Sequence, residues 1–482
     1  MASTYDERGV DDSYLEHRKL KRGAAGWVLL AGLGVSYVIS GDFAGWNFGL
    51  DEGGWGGLLI ATLLMGLMYT CMVFGLAEMS SALPVAGAGY GFARRAMGPL
   101  GGFATGMAVL IEYAVAPAAI AVFIGGYVEA LGLFGLTSGW LVFAIAYLVF
   151  IGIHLYGVGE ALKLMFAITA IAVVALVAAL VGLLPSFSTS NMLDIAPTGA
   201  AGASDFLPMG FAGVVAALVY GIWFFLAVEG VPLAAEETDN PARDMPRGII
   251  AAMLTLLLFA ALILFILPGS AGSETIRASD NPLPEAIRAV RGEDSLLADF
   301  VNWAGLAGLV ASFFSIIYAY SRQLFALSRA GYLPRVMSLT SSRKTPWVAL
   351  LVPGTIGFVL AGVLEANMGA DAGALLINIA VFGATVSYVL LNLSHILLRR
   401  REPDLERPYR TPGGVVTTGV ALVLSVVAVV ATFFVDERAA GITAGVFVLA
   451  LAYFWFYSRH HLVASAPEEE FAAIESGESD LH

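Results

Sequence analysis

The stretch GWVLLAGLGVSYVISGDFAGWNFGL, residues 26–50, decides the fold. It begins as an apolar run of the kind that crosses a bilayer, then meets Gly41, Gly45 and Gly49 around a charged residue, Asp42. Glycine loosens a helix, and a carboxylate at hydrocarbon depth is costly, so the pattern predicts a helix broken in mid-span. A second stretch, GFAGVVAALVYGIWFFLAVEGVPLAAEE at 210–237, carries Glu229-Gly230 and Pro232 at the matching place. Proline removes a backbone donor there as well. The two interruptions fall in spans 1 and 6, which is the pointer to inverted five-helix repeats with a binding site at the broken helices. Two independently kinked packing helices would explain the glycines but not the paired carboxylates.

Working outward, apolar stretches of about 20 residues recur, the length that crosses a hydrocarbon core of about 30 Å. The expected spans are about 24–50, 55–82, 99–130, 138–157, 161–185, 206–234, 247–268, 300–330, 347–365, 372–398, 413–435 and 439–459, which makes twelve. They lack the alternation of a membrane barrel, so the class is an all-α polytopic membrane protein. The composition agrees: of 482 residues, 58% are hydrophobic and 13% charged, and the mean hydropathy is +0.81. The first 23 residues are polar, with no apolar core of a signal peptide. With the amino terminus inside, cytoplasmic segments hold 21 Lys and Arg and outer segments 4. That asymmetry predicts both termini cytoplasmic and a plasma (inner) membrane location.

A net charge of −13 and a pI near 4.9 argue against nucleic-acid binding. The outer segments carry 15 acidic residues against those 4 basic ones, an acidic mouth that would concentrate a cation. The single cysteine, Cys71, forms no internal disulfide and no cysteine metal site. GAGYG at 87–91 lacks the Gly-Lys-Ser/Thr of a phosphate loop, and the six histidines are scattered. No enzyme constellation, metal site or cofactor is expected.

The cytoplasmic connections resemble a known family. AEMSSALPVAGAGYGFARRAMGPLGGF (77–103), EETDNPARDMPRGI (236–249), SRQLFALSRAGYLPRV (321–336) and RRREPDLERPYRTPGG (399–414) are similar, in order, to segments of the amino acid–polyamine–organocation superfamily. That resemblance implies a leucine-transporter-like fold: a tail at 1–23, a first repeat at 24–185, an inverted second repeat at 206–398, peripheral helices 11 and 12 at 413–459, and an acidic tail at 460–482. Within the superfamily, YVISGDFAGWNFGLDEGGWGG and GVGEALKLMF most resemble the ethanolamine permease branch. Amino-acid-transporting members usually carry a small Gly-Ser/Ala-Gly turn in helix 1 whose amides bind the substrate carboxylate. This chain has Gly45-Trp46-Asn47 there, and an indole would crowd such a nest. The departure fits a substrate with an amine and no acid, imported by alternating access.

Several residues are candidates for that work. Asp42 either contacts the amine or proton, or caps the outer half of the broken helix. Glu229, by resemblance, supports the unwound part of helix 6 and is linked to proton coupling. Trp223 aligns with an aromatic that caps substrate, where cation–π attraction suits an ammonium, or it simply packs. Phe225 is a weaker candidate. Glu112, deep in MAVLIEYAVAPAA of span 3, is a counter-charge for an ammonium or a protonated structural group. Carbonyls near Ser40, Gly41 and Phe225, Leu226 and Ala227 would accept the amine's hydrogen bonds, beside Phe43 and Trp46, and Asn47 would bind a hydroxyl. Glu78 matches an acidic gate position, expected to pair with Arg94, Arg95 or Lys163. His154 is expected at the interface, and Ser312 with Ser315 would serve a sodium site. A helix 5 lysine is absent from 164–185. The proton is favoured over sodium as coupling ion, and a permease for an amino acid or polyamine, or an amine sensor without transport, are the rival readings.

Overall fold

The computed structural model describes residues 26–462 except 85, 86, 158, 344 and 370. The expectations for the 1–23 tail and for most of the acidic tail lie outside the described residues. The principal helices are α1 (Trp27–Phe43), α2 (Phe48–Ala82), α3 (Gly89–Ala130), α4 (Trp140–Tyr156), α5 (Gly159–Leu183), α6 (Gly210–Trp223), α7 (Pro241–Ala271), α8 (Leu296–Arg329), α9 (Trp347–Met368), α10 (Asp371–Arg401), α11 (Val415–Val435) and α12 (Glu437–Phe456). Among the described residues, ten spans are long and apolar enough to cross a membrane, one of them α6 together with the turns after it. The other two helices, α1 and α4, are apolar but only 17 residues long.

The shortness of α1 has a local cause. Its helix stops at Phe43, four residues turn, and a new helix starts at Phe48. That new helix runs six residues to Gly54, whose φ of 66° breaks the direction before the second crossing begins. Only glycine takes this conformation without penalty. Gly98, at φ 80°, likewise separates a lead-in segment at 89–97 from the crossing part of α3. In α6 the helix ends at Trp223, residues 224–227 turn, and a 3-10 segment follows at Val228–Glu237. The break therefore precedes Glu229-Gly230 and Pro232, where the sequence suggested it. Ala227 at φ 78° makes the turn, a left-handed conformation that costs an alanine roughly 1–2 kcal/mol.

Packing pairs the helices in a regular way. Helix α1 lies against α7 and α2 against α6, while α3 lies against α10 and α8 against α5. Helix α11 covers α2, α6 and α10, and α12 covers α3 and α10. Their outer faces present Val423, Val427, Phe434, Leu449 and Phe456 to the surroundings, as lipid contact requires. Buried carboxylates and serines lie on α1 (Ser36, Ser40, Asp42), α3 (Glu112), α8 (Ser312, Ser315) and the segment after α6 (Glu229).

Candidate functional site

The two breaks face each other and are tied together. Gly41 brings α1 so close to α6 that a Cβ there would sit 2.6 Å from the Trp223 carbonyl oxygen. The Trp223 Nε1–H donates to the Ala44 carbonyl at 2.9 Å, and its ring meets Phe123 edge-on at 6.3 Å. Trp46 stacks on Phe224 at 5.6 Å, filling the space between the breaks. Phe43, Trp46, Phe224, Phe225 and Ala227 are all fully buried, so the region is closed to both sides in this conformation. Trp223, expected as an aromatic cap, is here a strut between the breaks. Gly41→Ala places a methyl against backbone that has no rotamer to yield, a clash worth about 1–3 kcal/mol. A drop in uptake of at least about tenfold is expected, and wild-type uptake would refute the tight approach.

Two amides of the first break, those of Ala44 and Gly45, are already engaged. Asn47 Oδ1 accepts from the Gly45 amide at 3.1 Å, and the Ala44 amide donates to the Ser40 carbonyl at 2.9 Å. The Asn47 Nδ2 group donates to the carbonyls of Ile276, Arg277 and Ser279, at 2.8, 3.3 and 2.8 Å. Asn47 was expected to hold a substrate hydroxyl; its side chain instead joins the break to the loop after α7. Asp42 is fully buried with neither carboxylate oxygen hydrogen-bonded among the described residues. It is not the cap of the next helix, whose N-cap position is Asn47.

A second carboxylate cluster lies below. Glu229 is 5% exposed; its Oε1 accepts from Tyr113 at 3.2 Å and its Oε2 from Tyr388 at 3.4 Å. The Tyr388 hydroxyl is 2.6 Å from that of Tyr69. Glu112 is fully buried beside Glu229 and Tyr388, yet neither of its oxygens reaches a hydrogen-bond partner among the described residues. Gly383 lets α10 approach the Glu112 backbone, since a Cβ there would lie 3.1 Å from its amide nitrogen. Helix α3 thus brings Glu112 to the segment after α6. The three tyrosines were missed because tyrosines in apolar helices read as core, and only the fold puts three of them around one carboxylate.

The serines of α1 and α8 answer one another. Ser312 Oγ donates to the Tyr37 carbonyl at 2.6 Å and lies 2.8 Å from Ser40 Oγ. Ser315 Oγ donates to the Ala311 carbonyl at 2.8 Å and lies 2.7 Å from Ser36 Oγ. His154, expected at the interface, is fully buried with its ring 4.0 Å from that of Phe314 and Nδ1 against the Phe150 carbonyl.

At the C-terminal end of α2, Glu78 is paired, but not with the residues expected. It takes a bidentate pair from Arg399, at 2.8 and 2.5 Å, with Arg407 Nε at 3.0 Å and the Thr411 amide at 2.7 Å. Arg95 instead forms its bidentate pair with Glu402, while Arg94 lies over the Tyr332 ring. The side chain of Lys163 lies outside the described residues. The end of α10 and the loop after it crowd the C-terminal end of α2, which explains the choice. Four arginines in RRREPDLER on the same side as a lone buried acid were the available signal.

Comparison with known proteins places this arrangement. The family model described as "Amino acid permease" matches residues 28–467. An uncharacterized transporter of Rhizobium meliloti is 30% identical, over 89% of this chain and 90% of its own. The branched-chain amino acid permease BcaP of Bacillus subtilis is 28% identical, over 76% and 78%. A crystal structure of the Eremococcus coleocola manganese transporter shares the fold, with a TM-score of 0.56 and 13% identity over 95% of this chain and 98% of that one. With broken helices facing one another inside a many-helix membrane bundle, and a family match across nearly its whole length, the chain belongs to the amino acid permease family: it is a multi-pass membrane transporter and not an enzyme.

Proposed function

We propose that this permease imports ethanolamine, a small cationic amino alcohol, across the plasma membrane by alternating access. The observation that carries the reading is the state of the first break. Its Gly45 amide, where a substrate carboxylate would be held, is already satisfied by Asn47, whereas Asp42, Glu112 and Glu229 have no cation against them among the described residues. A site rich in uncompensated acid, with its Gly45 amide already taken, suits an ammonium without a carboxylate. Glu112 serves as its counter-charge, with Asp42 near the outer approach and the turn carbonyls of 223–227 accepting its remaining hydrogen bonds.

The coupling ion in this reading is the proton. Two carboxylates side by side away from water favour sharing one proton, and Tyr388 and Tyr69 continue the hydrogen-bonded chain from Glu229. The serines between α1 and α8 spend their hydroxyls on one another and on carbonyls, which disfavours a sodium site. Twelve crossings with both termini cytoplasmic, and two inverted repeats, complete the reading. The exchange of partners in the packing, α1 with α7 as α6 with α2, and α3 with α10 as α8 with α5, supports the repeats. A permease for amino acids is the second reading, favoured by the similarity to a branched-chain amino acid permease.

The test is uptake of labelled ethanolamine into proteoliposomes, with a pH gradient imposed or removed. Saturable uptake that rises with the gradient is expected. No uptake above empty vesicles, together with saturable uptake of an amino acid, would overturn the proposal. Glu112→Gln is expected to raise the half-saturating ethanolamine concentration at least about tenfold, the cost of one lost charge-assisted contact. Unchanged affinity would remove Glu112 from the site.

A further inference from the structure

A crevice between α2 and α7 opens sideways onto the lipid-facing surface. Its volume is about 270 Å³, well above the roughly 150 Å³ of an apolar cavity that admits benzene. Leu63 and Leu67 of α2 are exposed on one side of the opening, and Ala261 and Phe265 of α7 on the other. Both helices are long and apolar enough to cross a membrane, so the medium at the opening is hydrocarbon. No charged residue lines the crevice among the described residues. Of its two hydroxyls, that of Thr70 donates to the Gly66 carbonyl at 2.7 Å and that of Thr62 is buried, so neither is offered at the opening.

Length and position select one occupant. The α2 wall covers residues 59–70, about 16 Å at 1.5 Å per residue, which is one leaflet of a hydrocarbon core of about 30 Å. Just before its first residue lies an aromatic group: Trp55 meets Phe206 at 5.9 Å and Phe265 at 5.2 Å, and its indole N–H donates to the Leu264 carbonyl at 2.8 Å. Trp55 follows Gly54, where the second crossing begins, and aromatic groups of this kind mark the membrane–water boundary. The crevice therefore starts near the headgroups and runs towards the midplane. Its inner wall includes the buried ring of Phe225, from the turn that breaks the sixth span.

We propose that this crevice binds one acyl tail of a bilayer lipid, which packs on Phe225 and supports the turn of the second break from the lipid side. The tail leaves hydrocarbon for an apolar gap, so the gain is van der Waals packing rather than escape from water. Recognition is of the alkyl chain and not of an anionic headgroup, because no Lys or Arg lines the site among the described residues. The support matters at this place. Ala227, two residues after Phe225, is held at φ 78°, a strain that persists only where packing imposes it. The Phe225 ring also lies 5.4 Å from that of Tyr69, whose hydroxyl continues through Tyr388 to Glu229. Gly66 keeps the gap open on the α2 side, since a Cβ there would lie 3.1 Å from Leu257 Cδ2 and 3.5 Å from Phe225 Cζ.

The test places the full-length protein in phosphatidylcholine vesicles containing a trace of the same lipid with a diazirine midway along one acyl chain. After illumination, adducts are mapped by mass spectrometry. Adducts on 59–70 and 254–265, per exposed residue, should exceed those on α12 at least about fivefold, a preference of the size that packing alone supplies. Ala261→Phe puts a ring into the opening from its exposed rim and should bring the ratio down to about one. Leu449→Phe, on the lipid face of α12 and 72% exposed, should leave it unchanged. No enrichment in the wild type, or enrichment that survives Ala261→Phe, would overturn the site. Support of the turn is read separately in detergent-purified protein. Added phosphatidylcholine should raise the unfolding temperature at least about 3 °C more in the wild type than in Ala261→Phe, and equal rises would overturn the support. Neither readout involves cargo, so a failure of the ethanolamine reading leaves both intact.

Discussion

Glu229→Gln is expected to abolish accumulation of ethanolamine driven by a pH gradient, by at least about 100-fold, while exchange of labelled for unlabelled substrate stays within about tenfold of wild type. The amide keeps the volume of the acid: its oxygen accepts from one of Tyr113 and Tyr388, which reach the two carboxylate oxygens at 3.2 and 3.4 Å, and its NH2 group donates to the hydroxyl oxygen of the other. Packing around the break is therefore preserved, and the variant should fold. What is lost is a group that can carry a proton between Glu112 on one side and the Tyr388–Tyr69 pair on the other. An effect of 100-fold corresponds to roughly 3 kcal/mol, within the range produced when one member of a buried charged set is removed. Parallel loss of exchange and accumulation would make Glu229 a substrate contact and return the proton to another group. Unchanged accumulation would remove proton coupling at this cluster altogether.

Glu78→Ala is expected to act on stability instead. The carboxylate is 2% exposed and receives Arg399, Arg407 and the Thr411 amide, so it binds the C-terminal ends of α2 and α10 to the loop that leads into α11. Deleting it leaves two guanidinium groups facing each other without a counter-charge. Breaking a buried pair this way costs about 3–5 kcal/mol. The Arg399 side chain is 25% exposed and partly solvated, so about 2–4 kcal/mol is the expected loss here. Thermal unfolding of the purified protein should fall by several degrees, and Glu78→Gln, which can still accept from Thr411, should fall less. An unchanged unfolding temperature for Glu78→Ala would show that the cluster is only a gate contact with no structural share.

Much of the architecture was legible in the sequence because the bilayer imposes a one-dimensional rule: about 20 apolar residues to cross, and polar groups only where something answers them. Glycines around Asp42 marked the first break within a residue or two of where the helix stops at Phe43. In the second, Gly230 and Pro232 drew attention to a place several residues beyond the real turn at 224–227. The reason is that Ala227, not a glycine, adopts the left-handed conformation, a strain held by packing and invisible to residue type. Glu112 could be singled out as a lone acid in a deep apolar run, but its neighbours could not.

Membrane class, helical architecture and the presence of two interrupted spans with carboxylates were thus determined by the chain's own composition and spacing, since hydrocarbon depth penalises each residue locally. Who faces whom was decided only by the tertiary structure. It turned Asn47 from a substrate ligand into a clasp for the loop after α7, gave Glu78 to Arg399 and Arg407, and gathered Tyr69, Tyr113 and Tyr388 around the carboxylate pair. Those partners lie 116 (Tyr113 and Glu229) to 329 (Glu78 and Arg407, 407 − 78) residues apart along the chain. Hydrogen bonds and ion pairs act over a few ångströms, so only the packing of the helices could bring them together.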